Sequence, residues 1–335
     1  MKNRAWVTTI YIGLIAVTLA VFIWSVSAGS VSIPFTKVMG LLFSGGEETE
    51  HAMIVRQIRL PRALMALVSG GALSLSGYLL QTFFRNPIAG PYILGISSGA
   101  RMMVAIAMII VLGGGGAFST PLMVLVSFIG SMISTVFILF FARRLRTMSV
   151  LLVAGIMISY ICTAITDFII NLAGDSSVVN MHGWSQGSFS GASMGEVRIA
   201  SFLIIIASLL VFGLSKSIWV YMSGEEYAAS VGVPVRSLQI AVVVLSGLLS
   251  ATVTAFAGPV SFVGIAVPFL VRRLIPGARP IVMIPALFLT GAAFTMASDL
   301  AARLLLAPSE LSLSTVTAFV GVPIVLVMLS GGRHE

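Results

Sequence analysis

The chain has 335 residues, of which 58% are hydrophobic and only 9% charged, with a net charge of +8. Its mean hydropathy is +1.09, whereas a soluble domain carries about 25% charged residues. Too little polar surface remains to face water all round. The chain therefore reads as an all-α polytopic membrane protein with one transmembrane domain over residues 1–335, and a soluble nucleic-acid binder is excluded.

Lys2 and Arg4 precede an apolar run from Ala5 to Ala28. That run exceeds the roughly 7–15 residues of a signal-peptide core, so it reads as an uncleaved first span. A span needs about 20 apolar residues, fewer where a helix stops inside protein. On that basis spans are expected at 6–28, 61–84, 94–111, 120–142, 149–172, 197–215, 237–256, 260–275, 281–305 and 313–330, which makes about ten. Between the first two, Val31 to Phe43 is amphipathic and fits a helix lying on the membrane surface.

Arg59-Leu-Pro-Arg62 sets two cations just ahead of span 2. They serve either to anchor a helix start or to grip an acidic partner. Within span 2, Gly70, Ser74, Gly77 and Gln81 fall on one helix face. Such a stripe either lets helices pack closely or lines a polar path, and Gln81 is the member best placed to face water. Span 2 gives way to Arg85-Asn-Pro-Ile-Ala-Gly-Pro91 and then to Leu94-Gly-Ile-Ser-Ser-Gly99. A matching break follows span 7, in Ala257-Gly-Pro-Val-Ser-Phe-Val-Gly264. Paired broken segments in two halves of a membrane chain point to a transport pathway.

Arg101 and Asp167 are charges inside apolar runs. They either pair with each other or stand apart, one at a cavity and one at an interface, because each alone is costly in lipid. The single Cys162 is also within an apolar run and reads as a small buried hydrophobe. Ser223-Gly-Glu-Glu-Tyr-Ala-Ala-Ser-Val-Gly-Val-Pro-Val-Arg236 has acids first and a Gly-Val-Pro stop, the pattern of a short exposed helix. It fits a docking surface for a partner or a helix at the lipid interface. Asp299 and Arg303, at i and i+4, can pair.

Loop charges set the orientation. Lys2, Arg4, Arg85, Arg143, Arg144, Arg146, Lys216, Arg236, Arg272, Arg273, Arg279 and Arg333 lie on one side, which is the cytoplasmic one. Both termini are then cytoplasmic, and spans 2–5 and 7–10 form an inverted repeat. The chain has no phosphate loop, no metal-ligand spacing and no nucleophile elbow. Transport is powered either by a separate ATPase or by ions acting through Asp167 and Arg101, as in a secondary transporter.

Arg59-Leu-Pro-Arg62, Arg85-Asn-Pro-Ile-Ala89, Leu94-Gly-Ile-Ser-Ser-Gly99, Gly258-Pro-Val-Ser-Phe-Val-Gly-Ile-Ala-Val-Pro268, Asp299-Leu-Ala-Ala-Arg303 and Glu310-Leu-Ser-Leu-Ser-Thr-Val-Thr-Ala318 occur in order along nearly the whole chain. Together they resemble the permease subunit of ATP-binding-cassette importers for ferric siderophores, haem and vitamin B12. The resemblance implies a second permease copy or homologue, two cytoplasmic ATPase subunits that carry ATP and Mg, and an external substrate-binding protein. It implies a multi-pass protein of the bacterial plasma (inner) membrane that binds no cofactor or metal itself and has no catalytic residues. By motif match, Arg59, Arg62 and Arg303 would meet the binding protein. Gly224, Glu225, Glu226, Ala229, Gly232, Val233 and Pro234 would couple to the ATPase. Asn86 and Ile88, with Met148 and Ser149 in the loop before span 5, would form a cytoplasmic gate. Ser74, Gln81, Arg101 and Asp167 are the pathway candidates. Phe269 stands where many relatives have His, and Arg101 where many have a small residue. A ferric siderophore is the first expectation for the substrate, then haem or a corrinoid.

Overall fold

The computed structural model describes residues 4–29, 31, 33–43, 49–92, 95–113, 119–142, 148–172, 184–307 and 309–331. Among them are 13 helices and no strand. In chain order these are α1 (Arg4–Ser27), α2 (Phe35–Phe43), α3 (Glu50–Phe84), α4 (Ile96–Gly113), α5 (Thr120–Ala142), α6 (Met148–Leu172), α7 (Met194–Gly213), α8 (Ser215–Met222), α9 (Glu225–Ser230), α10 (Val235–Ala257), α11 (Val263–Leu274), α12 (Pro280–Leu304) and α13 (Leu313–Gly331). Eight of them, α1, α3, α5, α6, α7, α10, α12 and α13, are long and apolar enough to cross a membrane. α4, whose apolar part is Ile96–Val111, and the 12-residue α11 fall at the two remaining expected spans, and both follow the Gly/Pro breaks.

Sequence chemistry sets the helix ends. Ser193 and Glu196 form a reciprocal capping box at the start of α7, so two free backbone donors are satisfied. Pro280 opens α12, where its missing N–H costs nothing. α3 ends at Arg85, whose left-handed φ of 49° turns the chain out of the helix.

The two halves pack as inverted copies. α3 touches α12 as α10 touches α5, α4 touches α5 as α11 touches α12, and α4 touches α6 as α11 touches α13. α3 starts at the end of the bundle that carries Arg62, and α10 starts at the opposite end, beside α9. The core is α3, which is 89% buried over its most apolar stretch, whereas α1 is 6% buried and α13 22%. Large apolar side chains dominate the exposed faces of α1, α6, α7 and α13, as contact with lipid demands.

Backbone proximity holds the core together. A Cβ on Gly77 would lie 1.8 Å from the Gly264 carbonyl oxygen, and one on Gly70 would lie 2.2 Å from that of Gly291. Small residues at helix contacts in lipid gain dispersion that larger ones forfeit. Ser74 donates to the carbonyls of Leu287 (2.7 Å) and Gly71 (3.0 Å), and Gln81 Nε2 donates to Gly264 (3.2 Å). The stripe Gly70, Ser74, Gly77, Gln81 is therefore a packing seam. Ser74 and Gln81 are buried, in keeping with the close-packing alternative for this stripe.

The second break is irregular backbone covered by protein. Pro259, Val260 and Ser261 are buried. Ser188 N–H donates to Ala257 (2.9 Å) and Ser314 Oγ to Pro259 (2.8 Å), so segment 184–193 and the start of α13 close over it. Gly258 takes a φ of 73° against the Trp184 carbonyl, 2.3 Å from where a Cβ would stand, a site only glycine fits. The amphipathic α2 turns Val38 and Leu41 inward on to Val26, Val55 and Ala63.

Candidate functional site

One end of the bundle gathers five charges. Arg62 Nε donates to Asp299 Oδ1 (3.1 Å) and Oδ2 (3.2 Å), and Nη1 and Nη2 fork on to Glu310 Oε1 (2.9 Å) and Oε2 (3.0 Å). Asp299 Oδ2 also lies 3.2 Å from Arg303 Nε. Arg303 Nη2 donates to Ser25 Oγ (2.8 Å) and to its carbonyl (3.2 Å). Arg59 Nη1 donates to the Ser27 carbonyl (2.6 Å), and its Nη2 to that of Val31. Arg59 and Arg303 thus hold the carbonyl end of α1, where a cation is favoured.

These cations are buried, at 4% exposure for Arg59, 6% for Arg62 and 9% for Arg303. The Asp299–Arg303 pair expected from their spacing is present, but it is interior and shared with Arg62 rather than a local pair in solvent. A cavity of about 330 Å³ opens beside the three arginines, lined also by Gly29, Ile58 and Glu310. Glu310 came out of the sequence only as part of a motif, with nothing local to mark it as a partner of Arg62.

The opposite end carries α8 and α9. Gly224 (φ 137°) and Gly232 (φ 87°) bracket α9, in conformations that side chains rarely adopt. Between them Ala228 is buried and holds the turn down, while Glu225, Glu226, Tyr227, Ala229 and Val231 are exposed. Gly232 and Pro234 continue the exposed surface, with Val233 half-buried. Gln239 of α10 fixes this turn by donating to Glu225 Oε1 (3.0 Å) and to the Tyr221 hydroxyl (3.3 Å). Burial pushes the Tyr221 phenol above its ordinary range, with the Gln239 bond and the nearby Arg85 pulling against it. Arg85 sits 5.7 Å from the centre of the Tyr221 ring, which ties the α3 terminus to α8.

The first break follows Arg85. Asn86 Oδ1 accepts from Ile88 N–H (3.1 Å) and its carbonyl from Ala89 N–H (3.1 Å), a compact side-chain-capped turn. Asn86 and Ile88 are half-buried there. Met148 and Ser149 open α6 rather than lying in the loop ahead of it, and their side chains lie outside the described residues. The loop cations Arg143, Arg144, Arg146 and Arg333 also lie outside them.

No ion pair joins Arg101 and Asp167. Asp167 is exposed on α6, and the Arg101 Nε is buried without a hydrogen-bond partner. Cys162 is buried, as expected. Among the described residues no group of His, Cys, Asp and Glu is placed to hold a metal ion.

A bundle with eight helices long and apolar enough to cross a membrane, and with unlike polar surfaces at its two ends, defines a polytopic membrane protein. The profile of the FecCD transport family matches residues 17–330, and the chain belongs to that family. It is 33% identical over 320 residues to the hemin transport system permease protein HmuU of Yersinia pestis, covering 93% of this chain and 92% of that one. It is 32% identical over 319 residues to the achromobactin transport system permease protein CbrC of Dickeya dadantii, covering 94% and 89%. A solved metal-chelate type ABC transporter in an inward-facing conformation matches with a TM-score of 0.84 at 25% identity, covering 97% of this chain and 99% of that one. The relatives are transport permeases, and this chain is a transport subunit rather than an enzyme.

Proposed function

We propose that this permease forms half of the membrane pathway of an ATP-driven importer that brings an iron chelate into the cytoplasm, a ferric siderophore before haem or a corrinoid. The other half is a second copy or a homologue. Two separate ATPase subunits carry the ATP and Mg. Alternating access is the mechanism: nucleotide closes the ATPases, α9 passes the motion to α10 through the Glu225–Gln239 bond, and the pathway changes its open side. The iron-chelate reading draws on the hemin permease and the metal-chelate type transporter among its relatives.

The observation that carries this reading is the contrast between the ends. The α9 end presents exposed Glu226, Tyr227 and Val231, a mixed apolar and acidic face suited to seating in an ATPase. Arg85, Arg236, Arg272, Arg273 and Arg279 lie near that end, which supports a cytoplasmic assignment and cytoplasmic termini. The other end presents the cavity lined by Arg59, Arg62 and Arg303 to an acidic binding protein. In the gate, Asn86 and Ile88 would close the inner mouth together with Met148 and Ser149.

Reconstitution in sealed vesicles tests the proposal. Uptake of a ferric chelate is expected only when the ATPase partner and ATP are both present. Ion-driven accumulation by the permease alone would overturn it in favour of a secondary transporter.

A further inference from the structure

We propose that Glu310 is an exchangeable carboxylate: it occupies the outer edge of the Arg62 guanidinium until an acidic group of the binding protein displaces it. This rests on the docking reading above. It adds that the Arg62 guanidinium is already occupied by carboxylates at rest and that recognition proceeds by replacing one carboxylate with another.

The argument begins with the donors of Arg62. A guanidinium has five N–H groups in a fixed fork. Nε and one side of Nη2 are directed at Asp299, and Nη1 with the other side of Nη2 at Glu310. An added carboxylate therefore finds no free bidentate edge, and one of the two partners must leave.

The two partners differ in how easily they can go. The Asp299 side chain is 2% exposed and is shared with Arg303, so its departure would strand charge in the interior. The Glu310 side chain is 45% exposed. Glu310 lies between α12 and α13, outside both helices. Released, it moves into water that already touches it, at small desolvation cost. Glu310 also lines the cavity through which a partner would approach.

Charge counting gives the same direction. Arg59, Arg62 and Arg303 face Asp299 and Glu310, so the cluster is one positive charge in excess. With Glu310 swung away it is two in excess, and an incoming carboxylate restores the resting balance. Glu310 therefore lowers the affinity of the surface for its partner while sparing the empty permease a bare guanidinium.

The test uses the full permease–ATPase complex in nanodiscs and the substrate-binding protein that co-purifies with it. Dissociation constants are measured for wild type, Arg62→Lys and Glu310→Gln. Arg62→Lys keeps charge beside Asp299 but loses the fork, and about ten-fold weaker binding is expected. Glu310→Gln removes the competing charge, and binding about three- to ten-fold tighter is expected. If Arg62→Lys weakens binding and Glu310→Gln leaves it unchanged or weaker, the exchange is overturned while the docking reading survives. If Arg62→Lys leaves the affinity unchanged, the docking reading itself fails and the exchange falls with it. Should Glu310→Gln not assemble, Glu310→Asp is measured instead. Its carboxylate is one methylene too short for the same fork, and absence of tightening there overturns the exchange.

Discussion

Arg62 and Asp299 are 237 residues apart in the chain and meet at 3.0 Å in the interior of the bundle. The contact ties α3 at Arg62 to the last turns of α12, the two helices that share the Gly70–Gly291 seam. Breaking a buried pair by removing one partner costs about 3–5 kcal/mol, because the survivor keeps its charge without compensation. Asp299→Asn is therefore expected to lower stability by about that amount and to be the most damaging neutral change in the cluster. Glu310→Gln, at a half-exposed position, should cost no more than about 1 kcal/mol. Thermal unfolding of the two variants in the same detergent checks the ratio; equal losses would mean that the cluster does not rest on Asp299.

The seam makes a second prediction. The Gly264 backbone stands where a Cβ on Gly77 would be, and backbone cannot rotate away as a side chain can. Gly77→Ala is expected to part α3 from α11 and lower stability by about 1–3 kcal/mol. Gly13→Ala on α1, where nothing lies within 4 Å, serves as the control and should cost nothing. Fluorescence-detected size-exclusion after a heat step reads both; a Gly77→Ala protein as heat-resistant as wild type would show that the two helices need not touch.

Much of this fold is legible in the sequence, because lipid imposes a strong rule. Every span must be apolar and hydrogen-bonded within itself, so hydropathy marks the eight long helices, the Gly/Pro breaks mark α4 and α11, and the basic loops give an orientation. Polar residues on the seam are less legible. Ser74 and Gln81 give the same pattern whether they line water or donate to a neighbouring backbone, and only the proximity of Leu287 and Gly264 decides it. The partners of Arg62 are hidden for another reason. Asp299 and Glu310 are distant in sequence, and local spacing gives Asp299 only Arg303. Gln239 likewise carries no motif, although it holds Glu225 in place.

At the other end, α9 depends on two glycines with positive φ. Gly232 at φ 87° has nothing within 4 Å of a built Cβ, so Gly232→Ala meets no clash, only backbone strain of about 1–2 kcal/mol. It should leave the permease folded while shifting the α9 surface. Glu226→Lys reverses an exposed charge for which no bond is found among the described residues. If α9 seats in the ATPase, both variants lower co-purification of that subunit, Glu226→Lys with the stronger salt dependence. Pull-down at low and high salt separates them. Full ATPase recovery with both would remove α9 from the coupling surface.

Asp167 bears on the energy source. It is exposed on α6 in the single chain and makes no pair with Arg101, so the buried pair that an ion-coupled carrier could build from these two charges is not formed. Asp167→Asn should leave ATP-dependent uptake at the wild-type rate over a range of proton and sodium gradients. Uptake by Asp167→Asn in sealed vesicles, with hydrolysis followed in parallel, gives the answer. If transport were lost while the partner still hydrolysed ATP, Asp167 would be part of the transport cycle. An ion gradient would then share in driving the cargo.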